Sequence, residues 1–466
     1  MMMFIPILVL IAIMSRTGQG SPVLSERIGN TNAALLSLAF VITPSILGSA
    51  LTVLWVRALD RTGCWNIISR ISRAHRLSQT ACGIATAAAI SWIGWLDVIR
   101  ASIGDWILLD EILAAAPWAL ATAILASTSY IIDRRLRLAA TIRELDSGQS
   151  VSRLVGLCPW IVIRLREVML CSFLPGLLFL GWLEGAGAAM LAIDQLWPGS
   201  MLLSSQADAP SLTPLAEGIV VAGAISLAAA APVLLARILP TVPLRSGRPV
   251  ELMREMCRIH RVRPIPLRLW RPSAGQANAM VMGMIPGSRA MLVSERLIEG
   301  MQEPLLGAVI GHEIGHVRRR HIPWLAAAVL ATSMCMQWII GEGIGAFTFM
   351  AIVAVVGLTS RRFEAQADLL AVESLERMGL TRDAACAAMI AALHRVAELN
   401  GISPSRRDFL HGSIEARITR LASIPRDPDV ALRIHRKAAW IRAAIAAALI
   451  ASAALWVFAT HIQGDG

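Results

Sequence analysis

Pro304-Leu-Leu-Gly-Ala-Val-Ile-Gly-His312-Glu313-Ile314-Gly315-His316-Val317-Arg-Arg-Arg-His321 reads as an apolar run entering a His-Glu-x-x-His motif. At helical pitch, positions i and i+4 share a face, so His312 and His316 can present two imidazoles to one metal ion. Imidazoles in this arrangement suit zinc, with bonds of about 2.0–2.1 Å. Glu313, beside them, is placed to take a proton from an attacking water. Two His and a water leave such a site one protein ligand short. Ser360-Arg361-Arg362-Phe363-Glu364-Ala365-Gln366-Ala367-Asp368 can supply it. On a helix, Glu364 and Asp368 lie one turn apart on one face. Glu364 can then ligate while Asp368 accepts an N–H from a ligand imidazole and orients its ring.

The surroundings of this motif are those of a membrane protein. Of 466 residues, 56% are hydrophobic and 16% charged, and the mean hydropathy is +0.61. Apolar spans run at about 33–56, 80–99, 112–132, 168–192, 217–237, 322–340, 344–358 and 440–459, most near the roughly 20 residues that a bilayer-crossing helix needs. The net charge of +11 does not indicate nucleic acid. Its arginines cluster beside the spans, where they mark cytoplasmic loops and meet anionic lipid. Arg57, Arg61, Arg70, Arg73 and Arg76 fall in one connection, and Arg134, Arg135, Arg137, Arg143 and Arg153 in another. The alternate connections hold Asp105, Asp110 and Glu111, then Asp194 and Asp208. Counting alternations places the segment after residue 237, and with it the His-Glu-x-x-His motif, on the cytoplasmic side.

Asp97 and Glu184 are costly within spans unless they snorkel to an interface or line a polar chamber. Met1–Met14 is apolar but short, and reads as an anchor, a signal segment or an overlong gene start. Seven cysteines include no Cys-x-x-Cys pair and read as small core residues. From Pro240 the texture becomes polar. Residues 265–270, 277–283 and 289–293 read as short strands, with a turn at Pro286-Gly287-Ser288. A hairpin broken at Gly341-Glu342-Gly343 returns the chain to Arg361, and residues 364–400 are mixed and helical. His321, after three arginines, reads as an interfacial residue.

These residues carry a resemblance. His312-Glu-Ile-Gly-His316, a membrane hairpin and then Glu364 and Asp368 are similar to the integral-membrane gluzincin peptidases that include HtpX and the CAAX prenyl proteases. Gln276-Ala277-Asn278-Ala279 resembles the family's edge strand, which implies that Asn278 and Ala279 pair with an extended substrate. His411-Gly412-Ser413-Ile414-Glu415-Ala416-Arg417 resembles its His-Pro-x-x-x-x-Arg segment, with Gly412 where proline is usual. The resemblance implies that His411 and Arg417 lie near the zinc, where either could stabilise an oxyanion.

The fold expected is mainly α: a polytopic helical membrane protein with a cytoplasm-facing gluzincin metallopeptidase domain containing a small β-sheet. Its parts are residues 1–240 as a multi-span membrane domain, 241–439 as the peptidase domain with hairpin 322–358, and 440–466 as a last span and tail. The function expected is zinc-dependent hydrolysis of peptide bonds in membrane or membrane-proximal proteins. The partners are a protein or peptide substrate and the lipid bilayer, and the location is a bacterial inner membrane. Two alternatives stand beside this: a signal-transducing peptidase that cuts a regulator, and a non-catalytic scaffold or transporter.

Overall fold

Helix follows helix along most of the chain, because long apolar runs satisfy their backbone hydrogen bonds internally only as helices. The structure, a computed structural model, describes residues 9, 12–13, 23–62, 66–146, 156–197, 203–204, 211–271, 276–340, 345–427 and 429–464. Most of Met1–Met14, and Arg153, Asp208 and Gly341-Glu342-Gly343, lie outside these. The chain divides into two compact units, Met1–Leu239 and Pro240–Gly466.

The first unit contains α1 (Leu24–Ile28), α2 (Asn30–Thr62), α3 (Asn66–Ala88), α4 (Trp95–Ile103), α5 (Leu109–Ala114), α6 (Ala116–Asp146), α7 (Leu157–Leu165) and α8 (Cys171–Leu196). A two-residue pairing of β1 (Leu203–Ser204) with β2 (Ser211–Leu212) leads to α9 (Pro214–Ile238). The span expected at 80–99 is not straight. A π-turn at Ala89–Ile93 and left-handed Gly94 (φ 87) separate α3 from α4, and the axis bends by 68°. The acidic connection is not a solvated loop either. Asp110 and Glu111 are fully buried, and Arg100 holds them at 2.6 and 2.9 Å. Glu184 Oε2 accepts the Leu108 N–H at 3.2 Å.

The second unit opens with β3 (Thr241–Pro243) and α10 (Arg248–Ile259), followed by β4 (Leu267–Trp270), β5 (Ala279–Met282) and β6 (Ala290–Ser294). The sheet order is β3-β4-β6-β5, parallel only between β4 and β6, so β5 is an edge strand. Then come α11 (Glu295–Gly300), α12 (Glu303–Arg318), α13 (His321–Ile340), α14 (Gly345–Arg377) and α15 (Arg382–Asn400). β7 (Arg407–Asp408) pairs with β8 (Gly412–Ser413), and α16 (Ile414–Ser423) and α17 (Asp429–Gly464) end the chain. The core joins the inner faces of α10, α12, α14 and α15 to β4 and β6 through residues such as Met256, Met291, Ile310 and Val372. The span expected at 344–358 and the helix expected from 364 are one continuous helix, α14.

Among the described residues, five helical segments are long and apolar enough to cross a membrane: Asn30–Thr62, Leu109–Arg135, Gly176–Leu196, His321–Ile339 and Asp429–Phe458. The α3–α4 pair makes a sixth if it is one bent span. The protein is thus a polytopic helical membrane protein with a small mixed sheet.

Candidate metal centre

α12 carries Pro304 in its first turn, where proline's missing N–H costs nothing, and runs through His312 and His316 to Arg318. α14 lies against it at small residues. A Cβ on Gly311 would stand 3.3 Å from the Ala371 Cα, and one on Gly315 3.2 Å from the Ala367 Cα. This close approach brings Glu364 to the two imidazoles.

Three donor groups converge there. His312 Nε2 and His316 Nε2 are 3.1 Å apart, and Glu364 oxygens lie 3.5 Å from the first and 3.4 Å from the second. Bonds of about 2.0–2.1 Å in a tetrahedron place neighbouring donors about 3.3 Å apart, so the set fits a zinc-sized ion. Glu364 Oε2 is buried without a hydrogen-bond partner, as a ligand atom facing an ion would be. Among the described residues no other cluster of His, Cys, Asp or Glu meets this test.

The charges fit the same purpose. Burial opposes ionisation of Glu364, but His312, Arg417 and His316 together hold it well below the usual carboxylate range. Burial likewise opposes Asp368, which Arg417 and His312 nevertheless pull down to about 2. Burial disfavours charge on His312, yet the carboxylates of Asp368 and Glu364 raise it to about 10, whereas burial pushes His316 down to about 4. The ion-free cluster therefore keeps a second ring proton on His312, which a bound cation would displace. Asp368 Oδ1 sits 3.0 Å from His312 Nδ1, bent too far from the ring N–H for a formed hydrogen bond. Arg417 grips Asp368 through Nε at 2.9 Å and through its second nitrogen, and its third nitrogen lies 3.3 Å from Glu364.

His321, at the start of an apolar span, does not face outward. It is fully buried, stacked on Phe363 with ring centres 4.4 Å apart and 7° between planes. Its Nδ1 lies 3.0 Å from His316 Nδ1 and its Nε2 3.1 Å from Gln366 Oε1. Arg442, which can only donate, reaches the same Gln366 oxygen at 2.7 Å, so the Gln366 amide nitrogen is the group that faces His435 Nδ1 at 2.9 Å. Gln366 Oε1 therefore accepts from His321 Nε2–H. A neutral His321 then has its lone pair on Nδ1 and accepts the His316 Nδ1 proton. That leaves His316 Nε2 with its lone pair toward the metal position. The sequence hides this network because His321 is five residues from His316, and because its partners arrive on α14 and α17.

Glu313 faces the same space. Burial pushes its carboxyl up to about 7, and the charge of Glu364 adds to this. Its Oε2 accepts the Val281 N–H at 3.0 Å. Asn278 exchanges bonds with Ser294, its oxygen accepting the Ser294 N–H at 2.8 Å, so Asn278, Met280 and Met282 pair toward β6. Ala279 and Val281 turn their backbone groups outward, along the edge that passes Glu313.

His411 is exposed, with 56% of its side chain accessible, and its Nε2 lies 3.9 Å from Glu364 Oε1. Its Nδ1 is 2.9 Å from Asp408 Oδ1, which also accepts the N–H groups of Leu410 and His411. Gly412 has φ +77. Proline is fixed near −65°, so this loop takes a shape that the proline of the resembling segment could not. The structure therefore brings His312, His316, Glu364, Glu313, Asp368, Arg417 and His411 together, with Ala279 on the neighbouring edge and Asn278 just before that strand.

Residues 266–436 match the model of Peptidase family M48, to which this part of the chain is therefore similar. No curated protein matches the sequence. Among solved structures, the chain is similar to that titled "Crystal Structure of S. mikatae Ste24p", at 15% identity and a TM-score of 0.33, over 83% of this chain and 98% of that one.

Proposed function

We infer that this chain is a membrane-embedded, zinc-dependent endopeptidase acting on membrane or membrane-proximal proteins, with its site facing the cytoplasm. The observation that carries this reading is the set of three donor separations of 3.1, 3.4 and 3.5 Å beside a glutamate that ligates nothing. His312, His316 and Glu364 would hold the ion, which when bound polarises the scissile carbonyl and acidifies water.

The protein's own residues do the rest. The outward backbone groups of Ala279 and Val281 pair with an extended substrate, beside Asn278. Glu313 takes a proton from the attacking water and delivers it to the leaving amine. Asp408 can only accept, which fixes a proton on His411 Nδ1; His411 Nε2 then donates to a developing oxyanion when the ring is doubly protonated. Arg417, occupied by Asp368 and Glu364, holds these carboxylates in place. The arginine distribution supports the cytoplasmic orientation. A scaffold or transporter would have no use for Glu313 at this position.

The test is to purify the full chain in detergent, measure bound metal by mass spectrometry, and compare the proteins that accumulate in membranes carrying wild type or Glu313→Gln. Stoichiometric zinc in both, with substrates trapped only by the variant, is the expected result. A chain without stoichiometric zinc would overturn the reading.

A further inference from the structure

Arg261, Arg318, Arg319 and Arg377 meet around a cavity of about 380 Å³, with His260 and Glu373 in its wall. The volume lies within the roughly 300–1,000 Å³ of small-ligand pockets. Four guanidinium groups on one concavity repel each other unless anions separate them. Elsewhere in this unit Arg248, Arg258, Arg271, Arg382, Arg395 and Arg433 each form an ion pair with a carboxylate. Among the described residues, none of the four around the cavity does. Glu373 leans instead toward His435 Nε2, 3.5 Å away. Arg377 gives one N–H to the Ile259 carbonyl at 3.3 Å. Arg319 Nε is buried with no hydrogen-bond partner, a donor whose lost hydration nothing in the chain replaces.

The cavity's place narrows the ligand. Arg318 ends α12, and the apolar span begins at His321, so the cavity adjoins the point where the chain enters lipid. Its wall also joins three elements, the C-terminal turn of α10, the end of α12 and the C-terminal end of α14. The last two carry the proposed metal ligands.

We propose that this cavity binds a phosphate-bearing anion, either a phospholipid headgroup or a free phosphate, through the guanidinium forks around it. Arginine matches phosphate with paired, charge-assisted N–H bonds, which a lysine point charge does not reproduce. A bound anion would separate the four like charges, accept from Arg319 Nε and tie α10, α12 and α14 together.

The experiment uses the full chain. Its thermal midpoint in a neutral detergent is measured in sodium phosphate and in sodium chloride of equal ionic strength. In parallel, the chain is placed in nanodiscs of phosphatidylglycerol or of phosphatidylcholine and released for native mass spectrometry. The variants are Arg319→Gln/Arg377→Gln and the charge-preserving Arg319→Lys/Arg377→Lys. A free-phosphate site predicts a midpoint rise on the order of 5 °C in phosphate, lost in both variants. A headgroup site predicts phosphatidylglycerol retained by wild type from the anionic discs and lost by both variants. Wild type that shows neither effect overturns the proposal, whether or not the variants fold. Effects that persist in the lysine pair would overturn the guanidinium assignment.

Discussion

Val281 donates its backbone N–H to Glu313 Oε2 at 3.0 Å, so the outer edge of β5 and the proposed general base share one hydrogen bond. Glutamine keeps an oxygen that can accept this bond but cannot take a proton from water. Glu313→Gln should therefore retain the fold and the zinc while cleavage falls by about 10²–10⁴-fold, the usual worth of a general base. Turnover of a trapped substrate by purified protein checks this, and an unchanged rate would remove Glu313 from the mechanism.

His321→Ala takes the acceptor from His316 Nδ1 and leaves Phe363 without its stacked ring. Apparent zinc affinity, read by competition with a chelating dye, should drop by about 10–100-fold, as for other partners of metal-ligating histidines. His321→Asn, which restores an acceptor, should recover part of it. Equal loss in both variants would point to packing alone.

Arg417→Met takes the guanidinium from the buried carboxylates of Asp368 and Glu364 and leaves them His312 as their nearest cation. Removing one partner of a buried pair costs about 3–5 kcal/mol, so thermal unfolding of the ion-free protein should move down sharply. Added zinc should recover much of the loss. A midpoint equal to that of wild type would contradict the pairing.

Gly315→Ala places a methyl 3.2 Å from the Ala367 Cα, tighter than ordinary contact, and no flexible side chain is there to yield. The helices must separate by a few tenths of an ångström. Weakened zinc binding with helix content unchanged by circular dichroism is the expected outcome, and undiminished affinity would show that the helix contact does not set the ligand positions.

His260 is buried and hydrogen-bonded to Ser374 at 2.6 Å, and burial, with the charge of Arg377 next, lowers its pKa. Unfolded, it titrates near 6.5. Below that pH the unfolded chain binds a proton that the folded chain refuses, so stability declines as pH falls through about 6.5 and levels off beneath the folded value. His260→Gln should flatten the midpoint between about pH 7.5 and about pH 5; an unaltered slope would assign the loss to other groups.

Local periodicity made much of the site legible. His312 and His316, like Glu364 and Asp368, are pairs four apart on single helices, and a spacing of that kind is a geometric statement before any fold is known. The contacts that depend on tertiary approach were not legible in this way. His321 meets His316 at a separation that suggests no shared face, and Gln366 gains its role only when Arg442 and His435 arrive from α17. Composition likewise located a membrane span near residues 80–99 but not its bend, which depends on a π-turn and the left-handed Gly94. Asp110 and Glu111 read as loop acids because Arg100, which buries them, precedes them by ten residues or more.

The order in which these groups leave the ribosome has a consequence of its own. Both imidazoles and Glu313 lie on α12, but Glu364 lies beyond α13 and the apolar first half of α14. A nascent chain that has reached residue 360 holds two of the proposed ligands and the base, yet no third ligand. Hydrolytic competence is thus withheld until the intervening hairpin has been placed and has turned back. In this way the order of the helices would delay assembly of the proposed site until the third ligand has emerged.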